Sequence, residues 1–205
     1  MNKKMWLAGL LAGVVMFVWG FIAHDILPFG QMALKTTPTE DAVMPSIKSN
    51  VSTPGMYVLP GNDMTAGQKL SGDQKQAAMK AYMEKWSAGP RAIVVYSDGA
   101  APGFGMLLGR QFLAIVFAGL IMAFALSAAL PTLKTFSQRV IFVTLIGLLP
   151  WFVVDIPFWN WYQFPANYAI SQVLCNGIGG LLGGIFLAWF YRKEGTTQPS
   201  MAKAA

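Results

Sequence analysis

The sequence predicts a mainly α-helical membrane protein, a bundle of four transmembrane helices with a small α+β extracytoplasmic insert between the first and second. Three observations carry that prediction. The 205 residues are 55% hydrophobic and only 12% charged, against about 25% charged residues in ordinary globular chains. Mean hydropathy is +0.47. Charge is also segregated: residues 5–23, 112–130, 140–154 and 168–191 hold no Lys, Arg, Asp or Glu. Three of these runs approach or exceed the ~20 residues that cross hydrocarbon; the third does so only if Asp155 and Ile156 are counted in. The expected division is residues 1–27 for the first helix, 28–109 for the insert, 110–192 for the other three helices and 193–205 for a disordered cytoplasmic tail.

The first apolar helix is expected over Met5 to Ile26, stopped by Pro28 and Gly30 in "HDILPFG". Lys3-Lys4 before an apolar run has the outline of a signal peptide. The run, however, exceeds the usual ~7–15 residues, and Phe21-Ile22-Ala23 puts a bulky residue where a small one is wanted, so a retained helix is expected. Within the insert, Thr39 reads as an N-cap followed by Glu40 and Asp41, and Pro45 makes that helix short or broken. "GMYVLPG" reads as a short strand. In "SGDQKQAAMKAYMEKWSAG", Ala78, Met79, Tyr82, Met83 and Trp86 form one helical face ending at Gly89. "RAIVVYS" is a β-branched strand. Two helices and a two-stranded sheet are too little to hold a core of their own, so the insert is expected to need packing on the membrane domain.

The second apolar helix is expected from Gln111 to Leu130, the third from Arg139 to about Ile156 through Pro150, and the fourth from Asn167 to Tyr191. Lys3, Lys4, Lys134, Arg139, Arg192, Lys193 and Lys203 fall on one side of four crossings, and the short loop 157–167 has no basic residue. That asymmetry puts both termini in the cytoplasm and residues 28–109 in the periplasm. The net charge of +6 therefore belongs to loop ends, and no nucleic-acid partner is expected.

Polar residues inside a bilayer normally face the bundle or a cavity. Gly9, Gly13, Met16, Gly20 and His24 share a stripe of the first helix, with Asp25 about 100° away. Thr144, Gly147, Trp151 and Asp155 line up on the third, and Gln172, Asn176, Gly179, Gly180 and Gly183 on the fourth. His24, Asp155, Gln172 and Asn176 are thus expected to converge beneath the insert as a ligand site. Gly9, Gly13, Gly20, Gly179, Gly180, Gly183 and Gly184 serve helix packing. A plainer reading stands beside the first: Asp155 ends a helix within an aromatic belt of Trp159, Trp161, Tyr162 and Tyr168.

Metal chemistry is poorly supplied. One His and one Cys, Cys175, leave no disulfide and no paired-Cys zinc spacing. Met79 and Met83 stand at i, i+4 and could hold Cu(I), but they share a face with Tyr82 and Trp86, so an apolar face is preferred and no cofactor is expected. "GAAPGFG" lacks the Lys-Ser/Thr of a phosphate loop.

At "MFVWGFIAHDILPFG", "GPRAIVVYS" and "IPFWNWYQFP" the chain resembles an uncharacterised group of bacterial four-helix inner-membrane proteins with an extracytoplasmic segment between helices one and two. The resemblance covers nearly the whole length. It implies a bacterial inner membrane and brings no activity, cofactor or site residue. The expectation is a multi-pass accessory or scaffolding subunit without catalysis, whose partners are the bilayer and other membrane subunits or a second copy. The alternative is a small-molecule, lipid or proton-handling site on Asp155 and His24. A lipid hydrolase or transferase comes third, since no nucleophile–base pair is legible.

Overall fold

A computed structural model describes residues 3–63 and 68–194; the expected tail lies outside these from residue 195 on. Four helices are long and apolar enough to cross a membrane: α1 (Lys3–Ile26), α4 (Phe104–Ala129), α5 (Phe136–Trp161) and α6 (Ala166–Phe190). Between α1 and α4 lie α2 (Glu40–Asn50), β1 (Gly55–Leu59), α3 (Gly72–Ala88) and β2 (Ala92–Tyr96). The chain divides into two compact units, one holding residues to Lys35 and from Pro102 on, the other Thr36–Ala101.

Several boundaries differ from the sequence expectation. Helix α4 starts at Phe104, well before Gln111, with Gly103 as its N-cap. Arg110 stands before the uncharged run and is exposed on the continuous helix, since a long basic side chain can lie along the surface with its charged head in water. Helix α5 starts at Phe136, because Thr135 and Gln138 form a capping box: the Gln138 amide donates to Thr135 Oγ1 (3.2 Å) and the Thr135 amide to Gln138 Oε1 (3.1 Å). It then runs through Pro150 and Pro157 to Trp161.

Within the four-helix unit, α1 packs along α4 and α6, and α6 packs along α5. Glycines set these approaches. A β-carbon on Gly9 would stand 2.6 Å from Leu120 Cα, one on Gly13 2.6 Å from Val116 Cα, and one on Gly180 3.0 Å from Gly147 Cα. Gly179 faces Trp19 (3.3 Å), Gly183 faces Met16 Sδ (3.0 Å) and Gly184 faces the Val140 carbonyl (3.2 Å). Gly20 is the exception: nothing lies within 4 Å of its added β-carbon, so it is not a packing glycine. The core gathers Met5, Ala8, Ala12, Met122, Ala123, Leu126, Leu130, Val143, Leu187 and Tyr191. All lie toward the end where α1 begins and α6 finishes, here called basal; the opposite end is distal.

In the second unit β1 and β2 pair antiparallel, Gly55 opposite Tyr96 and Leu59 opposite Ala92. Helix α2 continues unbroken through Pro45. Its N-cap Thr39 makes no capping bond, because its hydroxyl pairs with that of Thr37 (3.1 Å). Helix α3 opens on a capping box between Ser71 and Gln74 and ends at Gly89, whose φ of 67° suits glycine. No described residue of this unit is buried. On the expected apolar face of α3, Tyr82 and Trp86 are half-buried, while Ala78, Met79 and Met83 are exposed. An eleven-residue helix, one longer helix and a two-stranded ribbon simply offer too few opposed surfaces to enclose a side chain.

Candidate functional site

Three π turns interrupt the long helices: Ile22–Ile26 in α1, Trp151–Asp155 in α5 and Val173–Gly177 in α6. They touch one another near the distal end, the third lying against the other two. Two have a local cause. Pro28 and Pro157 follow within two residues, and proline both lacks an N–H and clashes with the carbonyl four residues back. Widening to i→i+5 bonding relieves that clash; the Leu27 amide accordingly donates to the Ile22 carbonyl (2.9 Å). The third turn has no proline. Instead, neighbouring indoles take carbonyls at and beside it. Trp19 Nε1 donates to the Cys175 carbonyl (2.9 Å) and reaches that of Leu174 (3.3 Å), and Trp151 Nε1 donates to the Ala169 carbonyl (2.8 Å). Tryptophan buries its ring in such apolar surroundings only where its N–H finds an acceptor, so α1 and α5 are both clipped to α6.

Asp155 closes the second π turn and is 7% exposed. The Tyr168 hydroxyl on α6 donates to its Oδ1 (3.1 Å). Tyr168 meets Phe164 edge-on at 4.8 Å, and Phe164 stacks on Phe158 at 5.1 Å, so an aromatic cluster sits beside the carboxylate. Asn167 Nδ2 donates to the Met32 carbonyl (2.5 Å), tying the segment after α1 to the start of α6. Trp159, Trp161 and Tyr162 are exposed.

The four residues expected to converge do not form one cluster. His24 is exposed, while Ala23 is buried; its imidazole lies against Gly30, where any β-carbon would overlap the ring. The stripe has already left the packed face at Gly20, before the π turn begins; Ala12, Met16, Trp19 and Ala23 carry that face at ordinary α spacing. Asn176 Nδ2 donates to Gln172 Oε1 (3.0 Å), so these two satisfy each other along α6. They lie at the spacing of Gly180, Gly183 and Leu187, which are buried, yet Gln172 is half-buried and Asn176 exposed. Above Gly179 the buried positions are Gly177, Cys175, Ser171 and Ala169, so the packed face of α6 passes one residue to the side of Gln172 and Asn176. Among the described residues no hydrogen bond joins His24, the Asp155–Tyr168 pair and the Gln172–Asn176 pair. No group of three His, Cys, Asp or Glu side chains gathers among them either.

The basal end holds a constellation the sequence reading treated only as loop charge. Arg139 is 2% exposed. Its Nε donates to the Leu133 carbonyl (2.9 Å), Nη1 to that of Tyr191 (2.6 Å) and Nη2 to that of Glu194 (2.5 Å). Tyr191 is the C-cap of α6 and Glu194 lies in the turn just past it, where backbone acceptors run out of intrahelical donors. Lys4 pairs with the Glu194 carboxylate and stands 5.5 Å and 5.8 Å from the ring centres of Phe190 and Tyr191. Tyr191 lies just beyond the fourth apolar helix; burial first, and the Glu194 charge second, push its phenol up to about 12. The signal that could have located this cluster is Thr135-x-x-Gln138, which starts α5 four residues before Arg139 and so aims the guanidinium at a neighbouring helix end.

Compared with protein-family profiles, curated proteins and solved structures, the chain matches none.

Proposed function

We propose that this chain is a multi-pass protein of a bacterial inner membrane, both termini cytoplasmic and the Thr36–Ala101 unit periplasmic, acting as a non-catalytic accessory subunit that binds another membrane protein. The observation that carries this reading is the folded but coreless second unit. It has a capped helix and a paired ribbon, yet Met56, Met79, Met83 and Val95 are all exposed. Each such side chain is 44–76% exposed and so forgoes roughly half or more of the about 1.5–3 kcal/mol that full burial returns, which a partner surface can supply. The exposed Ala114 and Ala128 of α4 suit close approach of a further helix. Extraction in mild detergent followed by native mass analysis tests the reading. A stoichiometric partner that is lost when Met79 and Met83 become Asp supports it; a solitary monomer at every extraction condition sinks it.

A second reading keeps a proton, lipid or small-molecule site at the distal end, favoured by a buried carboxylate at the end of one π turn that packs against another, since π turns are frequent at functional sites. Asp155 carries this reading, with Tyr168 rather than His24 as its partner. Asp155→Asn separates the two: loss of function with the partner complex intact selects the site, and unchanged function with an intact complex selects the subunit.

A further inference from the structure

A cleft of about 300 Å³ opens at the basal end between the start of α1 and the ends of α4 and α6, lined by Lys4, Met5, Phe124, Ser127, Leu130, Tyr191 and Glu194. Its chemistry is two-sided. Lys4 brings a cation, and the apolar part of the wall is built by Met5, Phe124, Leu130 and the buried Tyr191 ring. Glu194 brings an anion, and Ser127 Oγ, which donates to the Phe124 carbonyl (2.8 Å), keeps its lone pairs free to accept. The formal charge of the lining is therefore zero. An anionic guest would face Glu194 without compensation, and a cationic one would face Lys4. A guest carrying both charges a few ångströms apart meets a match for each. The cleft also sits at the ends of the apolar helices, where residue 4 begins one span and residues 130 and 191 follow two others. Beside it Phe124, Ile121 and Phe117 are exposed along α4, an apolar track leading away from the polar lining.

We propose that this cleft binds the headgroup of a zwitterionic phospholipid bearing a primary amine. Its phosphate pairs with Lys4. Its ammonium pairs with Glu194 and Ser127, and an acyl chain runs along Phe124 and Ile121. The Lys4–Glu194 ion pair is half-exposed, and exposed ion pairs hold their geometry weakly, so a guest can replace each partner with its own opposite charge. The inference rests on the membrane reading above.

The test reconstitutes the full chain into vesicles of equal parts phosphatidylethanolamine, phosphatidylcholine and phosphatidylglycerol, washes at alkaline pH, floats the vesicles, and reads retained lipid by native mass analysis after mild extraction. Retention of one phosphatidylethanolamine per chain is expected, several-fold over phosphatidylcholine, whose methylated ammonium has no N–H to donate, and over the anionic lipid. Lys4→Gln and Glu194→Gln should each erase that preference. Equal retention of the three lipids by the native chain overturns the site, and that arm needs no variant to fold. A preference unchanged in both Lys4→Gln and Glu194→Gln overturns it as well. A chain that fails to float overturns the membrane reading and the site together, whereas flotation without selective lipid overturns the site alone.

Discussion

At the basal end of the bundle, a β-carbon added to Gly119 would stand 2.5 Å from the Gly9 carbonyl and 2.6 Å from the Gly13 nitrogen; toward the distal end, one added to Gly20 would meet nothing within 4 Å. The same contrast runs through the side chains. Basally, methionine, alanine and leucine close over one another and a buried guanidinium ties off α6. Distally, contact is made by directed bonds: two indole N–H groups to carbonyls and one phenol to one carboxylate. Close packing fixes the basal end; at the distal end, where Gly177 still meets Leu148 closely and Ala23 and Ser171 are buried, polar clips are added where the helices have widened. The difference teaches that a helix whose hydrogen-bond ladder is interrupted gains interhelical acceptors, and with them a way to be held without dense packing.

Substitutions can break that contrast or sharpen it. Gly119→Val should have the largest effect, about 3 kcal/mol or more, because backbone atoms on α1 cannot yield as a side chain would; thermal unfolding in detergent reads it. Arg139→Met comes next, at about 2–3 kcal/mol, since the Tyr191 and Glu194 carbonyls lose a charged donor. Its expected signature is faster amide exchange confined to the last turn of α6. Tyr168→Phe strips Asp155 of its donor and should cost about 1–2 kcal/mol, a loss that the further change Asp155→Leu should partly restore in the same unfolding assay. Trp19→Phe should cost about 1 kcal/mol and raise amide exchange over residues 173–177 while leaving the basal core protected. Gly20→Ala should stay within about 0.5 kcal/mol. Were Gly20→Ala to cost as much as Gly119→Val, the two ends would be built alike and the comparison would collapse.

The spans were legible because their signal is the absence of charge, which neither a proline nor a π turn disturbs. Close helix approaches were legible in part for the same kind of reason: small residues at i, i+3/i+4 mark where backbones can meet, and Gly9, Gly13, Gly180 and Gly183 stand at such places. What periodicity could not do was choose between neighbouring stripes. His24 follows Gly20, which itself faces open space, while Ala12, Met16, Trp19 and Ala23 continue the packed face at ordinary α spacing. Gln172 and Asn176 each stand one residue from a buried position, Ser171 and Cys175, so a shift of one residue separates them from the packed face. Arg139 was read as a charge and is a set of five donors near a helix end. The face on α3 failed for a different reason: an amphipathic pattern states what a helix can bury, and burial also needs an opposing surface.

The π turns bear on how this chain can vary. A π turn holds one residue more than the α turn it replaces, so each is equivalent to a single-residue insertion absorbed without breaking its helix. Deleting one residue within 173–177 would therefore return the turn to regular α winding while Tyr168 on one side and Gly180, Gly183 and Leu187 on the other keep their faces. What such a deletion changes is local: the carbonyls of the widened turn, the Cys175 acceptor of Trp19 among them, return to the helical ladder. A one-residue change of length at this turn thus trades an interhelical bond for an intrahelical one and leaves the basal core untouched, a form of variation that substitution alone cannot reach.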